Sequence, residues 1–339
     1  MTSTTMSGPP PIARPPADGR AVGRVALMIL SRYGTLIGLA IMLVVFTLRA
    51  PTVFPTMQNF TNILAQGSLT AIIAAGLTMA LVVGEFDLSI GYVASFAGLL
   101  VVGFMALQGM PLWVAVPLML VGGGLIGMVN GILVTKARIN AVIATLGVGT
   151  ITIGLGFAYS PFPIVTNIPA EFSIISLGRL IPGIPNSIPV MVLVLTVLWV
   201  VLNKTDLGQK MQAVGGNREA ARLSGIRVDR IKIFAFVTAG VCAALTGIML
   251  SSLLGSGTQA AANGYLLNAF AAVFLGSATL RDGQFHIVGT LVGVLIIAVG
   301  FNGLSIFGAP SWAQQVFSGG ILILAVGLST LSRRILKAG

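Results

Sequence analysis

The chain has 339 residues, 56% of them hydrophobic and only 8% charged, with a mean hydropathy of +1.00. A soluble domain carries about 25% charged residues, so this composition excludes an ordinary soluble domain and points into a bilayer. The net charge of +11 does not indicate a nucleic-acid partner, because the cations fall in short loops between apolar runs and not on a polar domain.

Residues 1–24 are rich in Ser, Thr, Pro and Gly and carry Arg14, Arg20 and Arg24, so 1–28 is expected to be a disordered cytoplasmic tail. The first apolar run, 29–48, is longer than a signal-peptide core, and Leu48-Arg49-Ala50-Pro51 makes a poor cleavage site; it reads as an uncleaved first span. Nine further runs follow, at 62–84, 91–108, 112–135, 141–160, 188–203, 232–254, 264–280, 286–306 and 312–331. A spanning helix needs about 20 predominantly apolar residues, and these runs are near that length. They are continuously apolar without two-residue alternation, which favours helices over a β-barrel. The expected fold is an all-α integral membrane protein of about ten transmembrane helices, with a membrane domain at 29–331 and a cytoplasmic tail at 332–339. Ten spans also admit a five-plus-five inverted repeat.

Orientation follows from the positive-inside rule. With a cytoplasmic N-terminus, ten spans place 17 of the 19 Lys and Arg residues inside and leave only Arg49 and Arg179 outside. Both termini are therefore expected in the cytoplasm.

The turn Gly84-Glu-Phe-Asp-Leu-Ser-Ile-Gly91 holds Glu85 and Asp87, the only carboxylates near a span interior. A membrane carboxylate suggests ion coupling or a proton relay. The structural alternative makes Asp87 the N-cap of a helix starting near Leu88, accepting the amide of Ser89 or Ile90. The charge tally puts this segment at a cytoplasmic turn, which favours the cap. Polar groups on the spans that could line a solute path are Asn62, Gln66, Thr70, Asn130, Thr145, Thr150, Asn268, Asn302 and Gln314, although such groups more often bridge helices. The many glycines, among them Gly122, Gly123, Gly124, Gly147, Gly149, Gly154, Gly156, Gly289 and Gly293, allow close helix packing or flexibility. The proline-rich outside segment 162–189, with Glu171 and Arg179, is semi-rigid and offers a surface for an extracytoplasmic partner.

The loop 204–232 holds seven of the nineteen cations. A two-turn helix is expected at 218–224, with Asn217 as N-cap, Glu219 in the first turn and Gly225 as C′ residue. That length is unstable in water by itself. Ala220, Ala221 and Leu223 offer a close-approach surface, and Arg218 and Arg222 share a face, so the helix suits a groove on a partner. The alternative is a basic loop held by anionic lipid. Cys242 lies in an apolar run and reads as an inert buried thiol. His286 stands without a second ligand at metal spacing, and no catalytic constellation is present, so neither a metal site nor catalytic residues are expected.

The run Glu219-Ala220-Ala221-x-x-x-Gly225 resembles the coupling-loop motif of ATP-binding-cassette importer permeases. The surrounding stretch from Thr205 to Ile226 looks like the signature of ribose/galactoside-type monosaccharide permeases. Gly84, Glu85, Asp87, Ser89 and Gly91 fall in a turn similar to that family's Gly-Gly-Ile-Asp-Leu-Ser-Val-Gly element, with Glu85-Phe86 standing where the family has Gly-Ile. Asn130-Gly131, Ile143-Ala-Thr-Leu-Gly147 and Gln314-Gln315-Val316 with Gly319 also fit. The resemblance implies the membrane subunit of an ATP-driven sugar importer in a bacterial inner membrane. Its implied partners are a second permease copy, cytoplasmic ATPase subunits carrying ATP and Mg, and an extracytoplasmic sugar-binding protein, beside membrane lipid. Arg218, Glu219, Ala220, Ala221, Arg222 and Gly225 would couple the ATPase to the membrane domain. No Gly-x-x-x-x-Gly-Lys-Ser/Thr phosphate loop occurs in the sequence, so ATP chemistry would reside on a partner and this chain is not itself expected to be an enzyme. A secondary ion-coupled transporter and a lipid-bound scaffold protein are the competing readings.

Overall fold

A computed structural model describes residues 19–277 and 283–337. The helices in chain order are α1 (Gly19–Arg49), α2 (Met57–Val82), α3 (Ile90–Ala106), α4 (Leu112–Thr135), α5 (Ala141–Tyr159), the one-turn α6 (Ile174–Leu177), α7 (Ser187–Lys204), α8 (Asp206–Gly216), α9 (Arg218–Leu223), α10 (Val228–Leu254), α11 (Asn263–Ser277), α12 (Ile287–Ile306) and α13 (Ser311–Lys337). A 3₁₀ turn, Ala170–Ser173, leads into α6. Among the described residues β pairing is limited to two isolated bridges, Ile164 with Gly257 and Ile181 with Ile184.

Each apolar run of the sequence lies on its own helix. Six of them, α2, α4, α5, α7, α10 and α12, are long and apolar enough to cross a membrane. Helix α3, at 17 residues, is apolar but shorter. Helix α11 ends at Ser277 where description stops, so the end of the expected 264–280 run lies outside the described residues. Two boundaries depart from expectation. Helix α1 starts at Gly19, so residues 19–28 are helical and not disordered; the last proline before it is Pro16, and within 21–27 only Gly23 disfavours a helix, by about 1 kcal/mol. Helix α13 likewise runs through the expected tail to Lys337. Residues 1–18 and 338–339 of the two tails lie outside the described residues.

Helices α2 and α10 pack on each other at the centre. On one side α10 receives α4 and α3, with α5 beyond; on the other α2 receives α12 and α11, with α13 beyond. The partners thus repeat between halves: α4 lies on α10 as α12 lies on α2, and α3 contacts α4 and α5 as α11 contacts α12 and α13. Small residues make these contacts close. A Cβ on Gly123 of α4 would strike the Gly240 carbonyl of α10, and one on Gly240 would strike the Gly123 carbonyl. Without a hydrophobic drive between helices in lipid, such backbone proximity supplies the packing. Polar pairs add direction: Thr78 of α2 meets Thr290 of α12 at 2.7 Å, and Asn59 and Asn302 exchange amide hydrogen bonds at 3.0 and 2.8 Å. The outer helices keep bare apolar faces, with Val121, Leu125, Ile143, Ile151, Val192 and Leu193 all exposed.

Candidate functional site

The turn between α2 and α3 and the basic segment between α7 and α10 come together at one end of the bundle. Helix α2 closes with Gly84 at φ +80°, a left-handed position that favours glycine. There the Gly84 amide donates to the Leu81 carbonyl and the Glu85 amide to the Ala80 carbonyl, both at 3.0 Å, satisfying carbonyls that the helix end would leave open. This reversal sends Glu85 toward the basic segment.

Glu85 Oε1 lies 2.6 Å from Arg218 Nη2 and 2.7 Å from Lys232 Nζ. The side chains of Glu85 and Lys232 are almost sealed, at 9% and 8% exposure, whereas Arg218 is half exposed. Burial of a lone carboxylate is disfavoured by several kcal/mol; two close cations in charge-assisted contact make the position tenable. The pairing joins three elements: the α2–α3 turn, the start of α9 and the first turns of α10.

The rest of the turn is held from other sides. Phe86 stacks on Phe270 and Phe274 of α11, with centroids 6.3 and 6.4 Å away. Asp87 is buried, and its Oδ1 accepts from the Ser89 amide at 2.9 Å and the Ser89 hydroxyl at 2.6 Å. Burial pushes its carboxyl up to about 6, against the lowering effect of those two bonds. The Leu88 amide donates to Thr145 Oγ1 at 3.0 Å, and Asn130 Nδ2 donates to Ser89 Oγ at 2.9 Å. Asp87 therefore takes the expected Ser89 amide, but it stabilises the turn and does not cap the helix. Helix α3 begins two residues later than expected, at Ile90, after Ser89 in helical backbone. Gly91 admits α11 closely: a Cβ there would stand 3.1 Å from Leu266 Cβ.

The basic segment is more helical than expected. Thr205 caps α8 by accepting the Gly208 amide, and Met211 and Val214 bury one face of α8 in the core. Asn217 then caps α9, accepting from the Glu219 and Ala220 amides at 3.1 and 3.0 Å, and Gly225 follows at φ +81°. These are the expected caps. Ala221 turns inward and is buried, so the surface α9 presents outward consists of Glu219, Ala220, Arg222 and Leu223, the last 87% exposed.

The proposed path residues divide. Asn130 and Thr145 are fully buried and serve the α2–α3 turn. Asn302 pairs with Asn59, and Asn268 accepts from Ser318 of α13 at 2.8 Å. Asn62 pairs weakly with Gln58, and Gln314 with Ser305. Gln66 and Thr150 are exposed, Thr150 donating to its own helix at Leu146; Thr70 is buried. His286 caps α12, its Nδ1 accepting the Gly289 amide at 2.9 Å. Glu171 and Arg179 flank the segment that carries α6, which is docked by Ser176 donating to the Met249 carbonyl at 2.6 Å. Arg281 and Asp282 lie outside the described residues.

Sequence reasoning missed α8 and the standing of Lys232. The signals were present: a Thr205 cap followed by apolar residues at 207, 211 and 214, and a lysine set within an apolar run, where it needs a carboxylate.

A model of the branched-chain amino acid transport system / permease component family matches residues 59–326. The ribose import permease protein RbsC of Bacillus subtilis (strain 168) is 36% identical over 299 residues, covering 88% of this chain and 92% of that protein. RbsC of Escherichia coli (strain K12) is 36% identical over 86% of this chain and 91% of its own length. The D-allose transport system permease protein AlsC of the same strain is 32% identical over 88% and 92%.

Proposed function

The chain belongs to the branched-chain amino acid transport system / permease component family, and on that premise we propose that it is the membrane subunit of an ATP-driven importer for a monosaccharide or similar small polar solute. The observation that carries this reading is α9: a capped helix of 6 residues, too short to persist alone, pinned to the membrane domain through Glu85 while Leu223 stands exposed at its tip. A helix held in that way is built to meet a second protein. The sequence carries no phosphate loop, which supports placing ATP and Mg on that partner.

In this reading ten helices span a bacterial inner membrane with both termini in the cytoplasm, and the repeated packing of the two halves reflects a five-plus-five inverted repeat. Residues 204–232 form the cytoplasmic coupling loop, in which Arg218, Glu219, Ala220, Ala221, Arg222 and Gly225 place α9 in an ATPase groove. A second copy of the chain and lipid cover the bare faces of the outer helices. The segment 162–189 receives a solute-binding protein from outside, where ribose, allose or a related sugar is delivered. Asn62 and Gln66 are the path candidates exposed on a central helix, with Thr150 exposed on α5. Ion-coupled transport is disfavoured because Glu85 and Asp87, the buried carboxylates among the described residues, both lie in one turn at the end of the bundle and not at mid-helix depth.

Affinity purification of the chain from its host membrane tests this. An ATPase subunit is expected to co-purify, and Leu223→Asp is expected to reduce its recovery about tenfold, as loss of an interface anchor does. Recovery of the chain without any ATPase would sink the proposal.

A further inference from the structure

Glu85 stands between two cations of unequal standing. Lys232, on α10, is sealed beside it; Arg218, at the start of α9, is half exposed. A sealed carboxylate left without any cation is strongly disfavoured. Here Lys232 stays in place if α9 moves away, so the Arg218 contact can open and re-form without stranding a buried charge. The segment around α9 permits such a movement: Gly216 before it and Gly225 after it, at φ +81°, have open space around them, and α9 itself is only 6 residues long. The same turn that carries Glu85 reaches α11 through Phe86, α5 through the Leu88 amide on Thr145, and α4 through Ser89 and Asn130.

We propose that Glu85 is the positioning residue that registers α9 on the membrane domain, with Lys232 as its permanent partner and Arg218 as its exchangeable one. A displacement imposed on α9 is then felt at the α2–α3 turn and passed to α4, α5 and α11. The inference rests on the coupling reading above.

The test uses the full chain with its ATPase partner and solute-binding protein in proteoliposomes, with radiolabelled ribose, allose and arabinose as probes. The readout is sugar imported per ATP hydrolysed. Glu85→Gln and Arg218→Gln are each expected to lower that ratio about fivefold or more, the scale of a typical coupling between sites. The double variant is expected to do no worse than either single one, because both remove the same contact. Arg218→Lys, which keeps a cation near Glu85, is expected to recover most of the ratio. A ratio unchanged in Arg218→Gln, a site exposed enough to tolerate substitution, overturns the inference even if Glu85→Gln fails to fold. Additive losses in the double variant overturn it as well. An unmodified complex that imports none of the three sugars, and whose ATP hydrolysis the solute-binding protein does not stimulate, contradicts the importer reading itself, and with it this inference.

Discussion

Glu85 and Lys232 meet at 2.7 Å with both side chains almost sealed from solvent, and that contact fastens the turn after α2 to the beginning of α10. Since α2 and α10 are the two central helices, the pair lies where the two halves of the bundle join. Arg218 extends the same ionic contact outward to α9 at 2.6 Å.

The two cations should differ in what they contribute to stability. Lys232→Met removes a sealed partner and should destabilise the protein by about 3 kcal/mol, whereas Arg218→Gln removes a half-exposed one and should cost less than about 1 kcal/mol. Thermal unfolding of the purified protein in detergent separates them; equal losses would show that Lys232 is not the permanent partner.

Asp87 carries a pH signature. Its carboxyl titrates near 6 in the fold against 3.8 for an ordinary aspartate. The folded state therefore holds a proton that the unfolded chain has released, so this contribution to stability is complete below about 3.8 and is lost as pH rises to about 6. Asp87→Asn can still accept both bonds from Ser89 and should flatten stability between those values. The same variant should keep ATP-driven uptake, because the carboxylate stabilises a turn; abolished uptake with normal folding would revive a proton relay.

Asn302 should behave as a helix bridge and not as a solute contact. Asn302→Ala takes two hydrogen bonds from the Asn59 side chain, which keeps only its bond to the Phe54 carbonyl at 3.0 Å. The expected loss is about 1 to 3 kcal/mol in stability, with the choice among sugars unchanged. A change in sugar preference at normal stability would return Asn302 to the path.

Gly215 should resist even alanine. A Cβ there would run into the Val82 carbonyl at the end of α2, so α8 would have to lift from the bundle. Gly215→Ala should cost about 1 to 3 kcal/mol and weaken ATPase recovery together with it. An alanine variant as stable as the parent would mean that α8 does not sit against α2.

Much of this arrangement was legible in the sequence because it depends on local rules. Continuous apolar runs located the long helices, and Asn217 with Gly225 bounded α9 through cap chemistry alone. The competing cap and relay readings of Asp87 were both visible; the structure places its side chain on the Ser89 amide and hydroxyl inside the turn, and so departs from the cap. What stayed hidden depends on contacts between distant segments. Glu85 and Arg218 are 133 positions apart, and nothing in either neighbourhood announces the other. Ala221 looked like partner-facing surface until the packing of α9 turned it inward. Asn130, Thr145 and Asn302 looked like path residues because a polar side chain on a span has the same sequence signature whether it meets solute or a neighbouring helix.

The central claim is that α9 receives the action of an ATPase and that import follows. Uptake of ribose, allose and arabinose by intact cells of its host expressing the chain tests it most directly, with ATP and the proton gradient manipulated separately. Uptake is expected to collapse when ATP is depleted and to survive an uncoupler. Uptake that survives ATP depletion and collapses with the uncoupler would contradict it.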